Sequence, residues 1–169
     1  LVEESGNKGN LSAYQKAISS LSQISKHKPD FLDFFQKHIQ SIEVFYYPDP
    51  VMEAISQNFD NDLLVLSWLK SSAQIDQNWG VQSATLQSLA LTFKDDPDTL
   101  PLIQSCLNSN SGSRWVKRVA ANLLAKFFKE NTETFPLLSR CLDNEQYEKR
   151  GAALGAIAAS YKDDPDTLH

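Results

Sequence analysis

The sequence predicts an all-α fold: a right-handed α–α superhelix of stacked antiparallel helical pairs, four of them complete and a fifth in part. Three observations carry this reading. First, Lys94-Asp-Asp-Pro-Asp-Thr-Leu100 and Lys162-Asp-Asp-Pro-Asp-Thr-Leu168 are identical and 68 positions apart, with Lys129-Glu-Asn-Thr-Glu-Thr-Phe135 between them as a drifted copy. Repetition at such a period marks supersecondary units that bury their apolar faces only by stacking. Second, the segments before each copy carry apolar residues at helical spacing rather than in alternation. Third, 41% hydrophobic and 22% charged residues, with only six Gly and seven Pro in 169, describe a globular chain. That balance excludes disordered, collagen-like and turn-rich β designs.

The elements follow in order. Residues 1–10, rich in Gly, Asn and charge, read as a flexible lead-in. A first unit covers about residues 11–42, with a helix from Tyr14 to Lys26, a turn at Lys28-Pro-Asp-Phe-Leu32, and Phe34, Phe35 and Ile39 on the second helix. A second covers about 47–71, opened by Tyr47-Pro-Asp-Pro50 and closed by the apolar Leu63 to Leu69. The third, about 79–110, places Val81, Ala84, Leu86, Leu89, Ala90 and Phe93 on one helix. Asp98 or Thr99 then caps a shorter helix, and Pro101 is tolerated in its first turn, where its missing N–H has no partner to lose. The fourth, about 115–144, repeats this with Val116, Val119, Ala120, Leu123, Leu124, Phe127, Phe128 and Pro136. The fifth, 147–169, stops within its second helix. Trp79, Trp115 and Tyr147 each precede a small residue (Ala84, Ala120, Ala152) by five positions, and are expected to pack between repeats. Ala120, Leu123, Leu124, Ala153, Leu154 and Ile157 are expected to be buried.

Leu1 stands where a complete chain would carry Met, and register calls for Pro where His169 stands. The expectation is a segment of a larger protein, His169 being either native or tag-derived.

Chemistry has little foothold. A net charge of −5 opposes the basic face that nucleic acid requires. No apolar run approaches a bilayer span and no basic-then-apolar leader opens the chain, so the expected setting is cytoplasmic, without membrane contact. Cys106 and Cys141 occupy the same repeat position, and stacked helices hold them too far apart for a disulfide; both read as small buried hydrophobes. His27 and His38 lack neighbours at ligand spacing. No catalytic residue, metal ligand or cofactor site is expected, and no nucleophile, zinc or dinucleotide motif occurs.

Two clusters remain. Asp95-Asp96 and Asp163-Asp164 recur once per repeat, in the turn, as structural groups do; catalytic groups would converge on one place. They are expected to cap the turn and pair with Arg118, and Arg150 is the matching cation one repeat on. The basic cluster Arg114, Lys117, Lys149 and Arg150 is the candidate partner-binding edge, with Lys117 and Lys149 facing solvent toward an acidic patch or phosphate-bearing ligand. On this reading Lys117→Glu with Lys149→Glu weakens binding and leaves stability unchanged, whereas Arg118→Ala or Arg150→Ala destabilises.

Tyr147-Glu-Lys-Arg-Gly-Ala-Ala-Leu-Gly-Ala-Ile157 resembles the first-helix signature of HEAT-like repeats, particularly the short bacterial type first named for phycobilisome lyases. Trp115-Val-Lys-Arg-Val-Ala-Ala121 has the same form, and Trp79-Gly-Val-Gln-Ser-Ala84 is a weaker copy. With the Asp-Asp-Pro-Asp-Thr-Leu-Pro turn, the pattern is similar to HEAT arrays attached to NACHT-type signalling NTPases of cyanobacteria and related bacteria. It covers residues 79–168. No Gly-x-x-x-x-Gly-Lys-Ser/Thr occurs, so nucleotide binding is not carried over. The resemblance implies a non-catalytic, monomeric protein-interaction scaffold, a sensor or regulatory segment that binds a protein partner or a neighbouring domain of its own chain. A bilin lyase-like chaperone or enzyme is the alternative it leaves open, and a nucleic-acid-binding array is a third.

Overall fold

The computed structural model describes residues 62–75 and 78–162, with single helical positions at Ser20 and Asp33. The lead-in, the unit at 11–42, most of the unit at 47–71, His27, His38, Asp163, Asp164 and His169 lie outside the described residues. Among the described residues of 62–162 there are six helices and no strand: α1 (Leu63–Ile75), α2 (Trp79–Thr92), α3 (Thr99–Asn108), α4 (Arg114–Phe127), α5 (Thr134–Leu142) and α6 (Tyr147–Ser160). This is an all-α helical solenoid.

The long helices α2, α4 and α6 stack on one another, and the shorter α3 and α5 pack onto α4 and α6. Each short helix packs more closely on the long helix after it than on the one before it. Residues 93–98 and 128–133 form wide turns built on the repeated acidic segment, whereas 109–113 and 143–146 are tighter returns.

Each wide turn holds itself in the same way. Asp96 Oδ1 accepts the Asp98 N–H at 3.1 Å, and Asn131 Oδ1 accepts the Glu133 N–H at 3.0 Å. The Thr99 and Thr134 N–H groups return to the Asp96 and Asn131 carbonyls. Asp98 stands at the N-cap of α3 but makes no side-chain cap bond; its carboxylate is engaged elsewhere. Pro101 and Pro136 sit at the third helical position, before an intrahelical N–H is needed.

One continuous core runs through the stack, including Leu69, Leu86, Leu89, Ile103, Leu107, Leu124 and Leu138, none measurably exposed. The aromatics that precede the turns, Phe93, Phe128 and Tyr161, are all buried. Ala120, Leu123, Leu124, Ala153 and Ile157 are buried as expected, but Leu154 is 61% exposed. Its equivalent in α4 is Asn122, also exposed, whereas the α2 copy of this column is the buried Leu86. Cys106 and Cys141 are both free thiols, Cys141 buried and Cys106 half-buried, and burial pushes both thiols up from their ordinary range.

Candidate functional site

The N-terminal ends of α2, α4 and α6 share one edge of the solenoid with the short returns 109–113 and 143–146. The residues just before them fix two of these starts. Asn78 Oδ1 accepts the Gly80 N–H at 2.9 Å, and Ser113 Oγ accepts the Trp115 N–H at 3.2 Å, satisfying donors that a helix start leaves free. Trp79 and Trp115 therefore start helices that stack directly. Their rings lie 6.0 Å apart at 28°, half-exposed rather than in the core. Tyr147, in the same column, is well exposed. The two tryptophans pack on each other between repeats, but at the surface and not in the core expected for this column.

The basic cluster divides in a way opposite to that expected. Lys117 and Lys149 do not face solvent: each is only 4% exposed. Lys149 Nζ donates to the Asn108 carbonyl at 2.6 Å and to Asn110 Oδ1 at 3.1 Å. Asn108 ends α3, so the ammonium from α6 meets the negative end of that helix dipole. Lys117 Nζ donates to the Gly112 carbonyl at 3.1 Å. Burial, the largest cause, pushes Lys117 below the ordinary lysine range; the charge of Glu148 opposes the fall and that of Lys149 adds to it. Together the two lysines hold the 108–112 segment from either side.

The arginines are the exposed members. Arg114 and Arg118 both lie over the Trp115 ring, each 5.0 Å from its centroid, and Arg150 donates to the Asn144 and Glu145 carbonyls at 2.8 and 2.9 Å. Arg118 is thus a surface cation on an aromatic face, not the partner of a turn aspartate. The aspartates are met instead by Lys70 of α1, whose Nζ lies 2.6 Å from Asp96 and 2.8 Å from Asp98. That explains the missing cap bond of Asp98. These contacts raise Lys70 above its ordinary range. Asp95 is exposed in the same turn.

The reason for the exchange between lysine and arginine is the helix face. In the repeat register Lys117 and Lys149 align with Val81, which is buried, while Arg118 and Arg150 align with Gln82, which is half-buried. The valine in one copy is the signal that marks the lysine column as interior. Lys70 carried no repeat signal, because the matching position of the next short helix is not basic.

A cavity of about 230 Å³ opens on this edge beside Lys117, lined also by Gln82, Cys106, Ser111, Gly112 and Ser113. The run Asn108-Ser-Asn-Ser-Gly-Ser113 that borders it was legible only as a loop. Among the described residues no group of His, Cys, Asp and Glu is arranged to hold a metal, and no helix is long and apolar enough to cross a membrane.

No curated protein and no solved structure matches the chain. The family described as HEAT repeats matches residues 65–167, which takes in all but the first two residues of the helices described above and covers more than half of the sequence. With its stacked helical pairs and repeated turns, the chain belongs to the HEAT repeat family.

Proposed function

We propose that this chain is a non-catalytic, cytoplasmic protein-interaction scaffold, acting as a sensor or regulatory segment of a larger bacterial signalling protein. HEAT repeats commonly serve as protein-interaction scaffolds, which supports the general role. The finer role, including association with a NACHT-type NTPase, rests on the resemblance of the Lys-Arg helix starts and acidic turns.

The observation that carries a docking edge is the exposed stack of Trp79 and Trp115 with Arg114 and Arg118 over it. Tryptophan and arginine dominate interface hot spots because they bring large contact area, a desolvated ring face and a multidentate cation. Arg150 extends the positive edge, and Lys117 and Lys149 support it from beneath. An acidic, aromatic-containing segment is the complementary partner.

Panning a random peptide display library against the full chain tests this. Selected peptides should be enriched in Asp and Glu, and should lose at least about tenfold in affinity with Trp115→Ala or Arg118→Glu. They should be indifferent to Arg140→Glu on α5. Peptides that respond to Arg140→Glu and ignore Trp115→Ala would move the docking surface to the short helices.

A further inference from the structure

We propose that the cavity beside Lys117 is a carboxylate pocket that receives one Asp or Glu side chain of a protein partner. The inference rests on the docking role of this edge, and adds to it the group that anchors the partner.

The starting point is a buried charge with no anion in contact: the charge of Glu148 acts on Lys117 only from beyond ion-pair distance. An ammonium has three N–H donors, and the buried Lys117 Nζ uses one, on the Gly112 carbonyl. Lys149, equally buried, has two acceptors, one of them the end of a helix. Lys70 has two carboxylates. No carboxylate lies within ion-pair distance of Lys117 among the described residues, and its two remaining donors have no acceptor there. Buried charges are normally paired. The space beside Lys117 is where the missing anion fits.

The walls suit an oxyanion. Ser113 Oγ accepts from the Trp115 N–H, and a hydroxyl that accepts in this way keeps its own O–H to donate. Ser111 adds a second hydroxyl to the lining. The cavity also meets the first turn of α4, a helix of 14 residues, whose dipole presents its positive end there. These features agree with the buried ammonium, which is the independent sign of an anion.

Size and surroundings choose the source of the carboxylate. At about 230 Å³ the cavity is below the roughly 300–1,000 Å³ of pockets that enclose a whole small molecule. It holds one side chain of something larger. Arg114, Trp115 and Arg118 stand within the first five residues of α4, so a peptide anchored here continues directly onto the exposed edge.

The experiment is nitrogen-15 NMR of the full chain titrated with N-acetylglutamate α-N-methylamide at constant pH and ionic strength, with N-acetylglutamine α-N-methylamide and inorganic phosphate as separate arms. Saturable shifts at the amides of Ser109 to Lys117 are expected with the glutamate amide, whose side chain is its one carboxylate, absent with the glutamine amide, and at least about tenfold weaker with phosphate. Lys117→Met should weaken binding of the glutamate amide by about tenfold or more. Cys106→Leu, which fills the cavity and keeps the ammonium, should do the same and decides the matter if the lysine variant does not fold. Absent saturation, equal response to the glutamine analogue, phosphate binding as tightly, or wild-type affinity in either folded variant overturns the proposal. Because the probe does not reach Trp79 or Trp115, its failure leaves the peptide-display result on the exposed edge standing on its own.

Discussion

Replacing Lys149 with methionine keeps the length of the side chain and removes the ammonium that ties α6 to the end of α3. The wild-type Nζ reaches the Asn108 carbonyl at 2.6 Å and Asn110 Oδ1 at 3.1 Å from a side chain that is 4% exposed. Hydrogen bonds from a charged donor contribute about 1.5–3 kcal/mol each. The methionine recovers part of that loss, since no ammonium need then be desolvated, and its stem keeps the apolar contacts. Asn108 and Asn110 are exposed, so water replaces some of what their oxygens lose. The net cost should be about 1–2 kcal/mol, a fall of about 2–8 °C in the thermal midpoint for a chain of this size. Lys149→Glu should cost more, about 3–5 kcal/mol, because it buries a carboxylate against a carbonyl oxygen. Thermal melts followed by far-ultraviolet circular dichroism on both variants make the comparison. A glutamate variant that melts with the wild type would refute the buried position of Lys149 and restore it to the surface.

The remaining expectations are independent of one another. Leu124→Ala, at a fully buried position, should cost about 2–5 kcal/mol in urea unfolding, whereas Leu154→Ala should stay within about 0.5 kcal/mol of wild type. Lys70→Ala should cost about 0.5–1 kcal/mol, since its ion pairs with Asp96 and Asp98 are partly open to solvent. That contribution is fully present below the ordinary lysine value of 10.5 and is lost as pH climbs through the raised folded value. Lys117 runs the other way. Its folded value lies below 10.5, so the unfolded chain binds the extra proton between the two values and stability rises with pH there. Urea midpoints across that alkaline window should rise for the wild type relative to Lys117→Met.

What the sequence makes legible is whatever the repeat reports more than once. The acidic turn occurs three times with an aromatic before it, and Phe93, Phe128 and Tyr161 are all buried. Ala120 lies in a column with Ala84 and Ala152, small and apolar in every copy. Leu154 sits in a column with Asn122, a discordance that periodicity within one helix hides. Adjacent cations are harder still: Lys117 and Arg118 differ by one residue, about 100° of helix rotation, and charge alone does not say which turns inward. Arginine keeps a delocalised, weakly hydrated group over an exposed ring, while lysine, with a compact ammonium on a flexible stem, threads between helices to a carbonyl. The cavity escapes sequence reading because it arises where α1, α3 and α4 come together, and no local pattern encodes a gap.

The closer packing of each short helix on the long helix that follows it means that the unit written in the sequence is not the unit that opens in solution. Spontaneous opening should separate the array across the wide acidic turns, where least apolar surface is lost, so α3 with α4, and α5 with α6, should exchange their amide hydrogens as cooperative blocks. An added or excised repeat that begins at Thr99 therefore carries the close packing of short helix on long helix with it. One that begins at Trp79 leaves that interface to be rebuilt with a stranger.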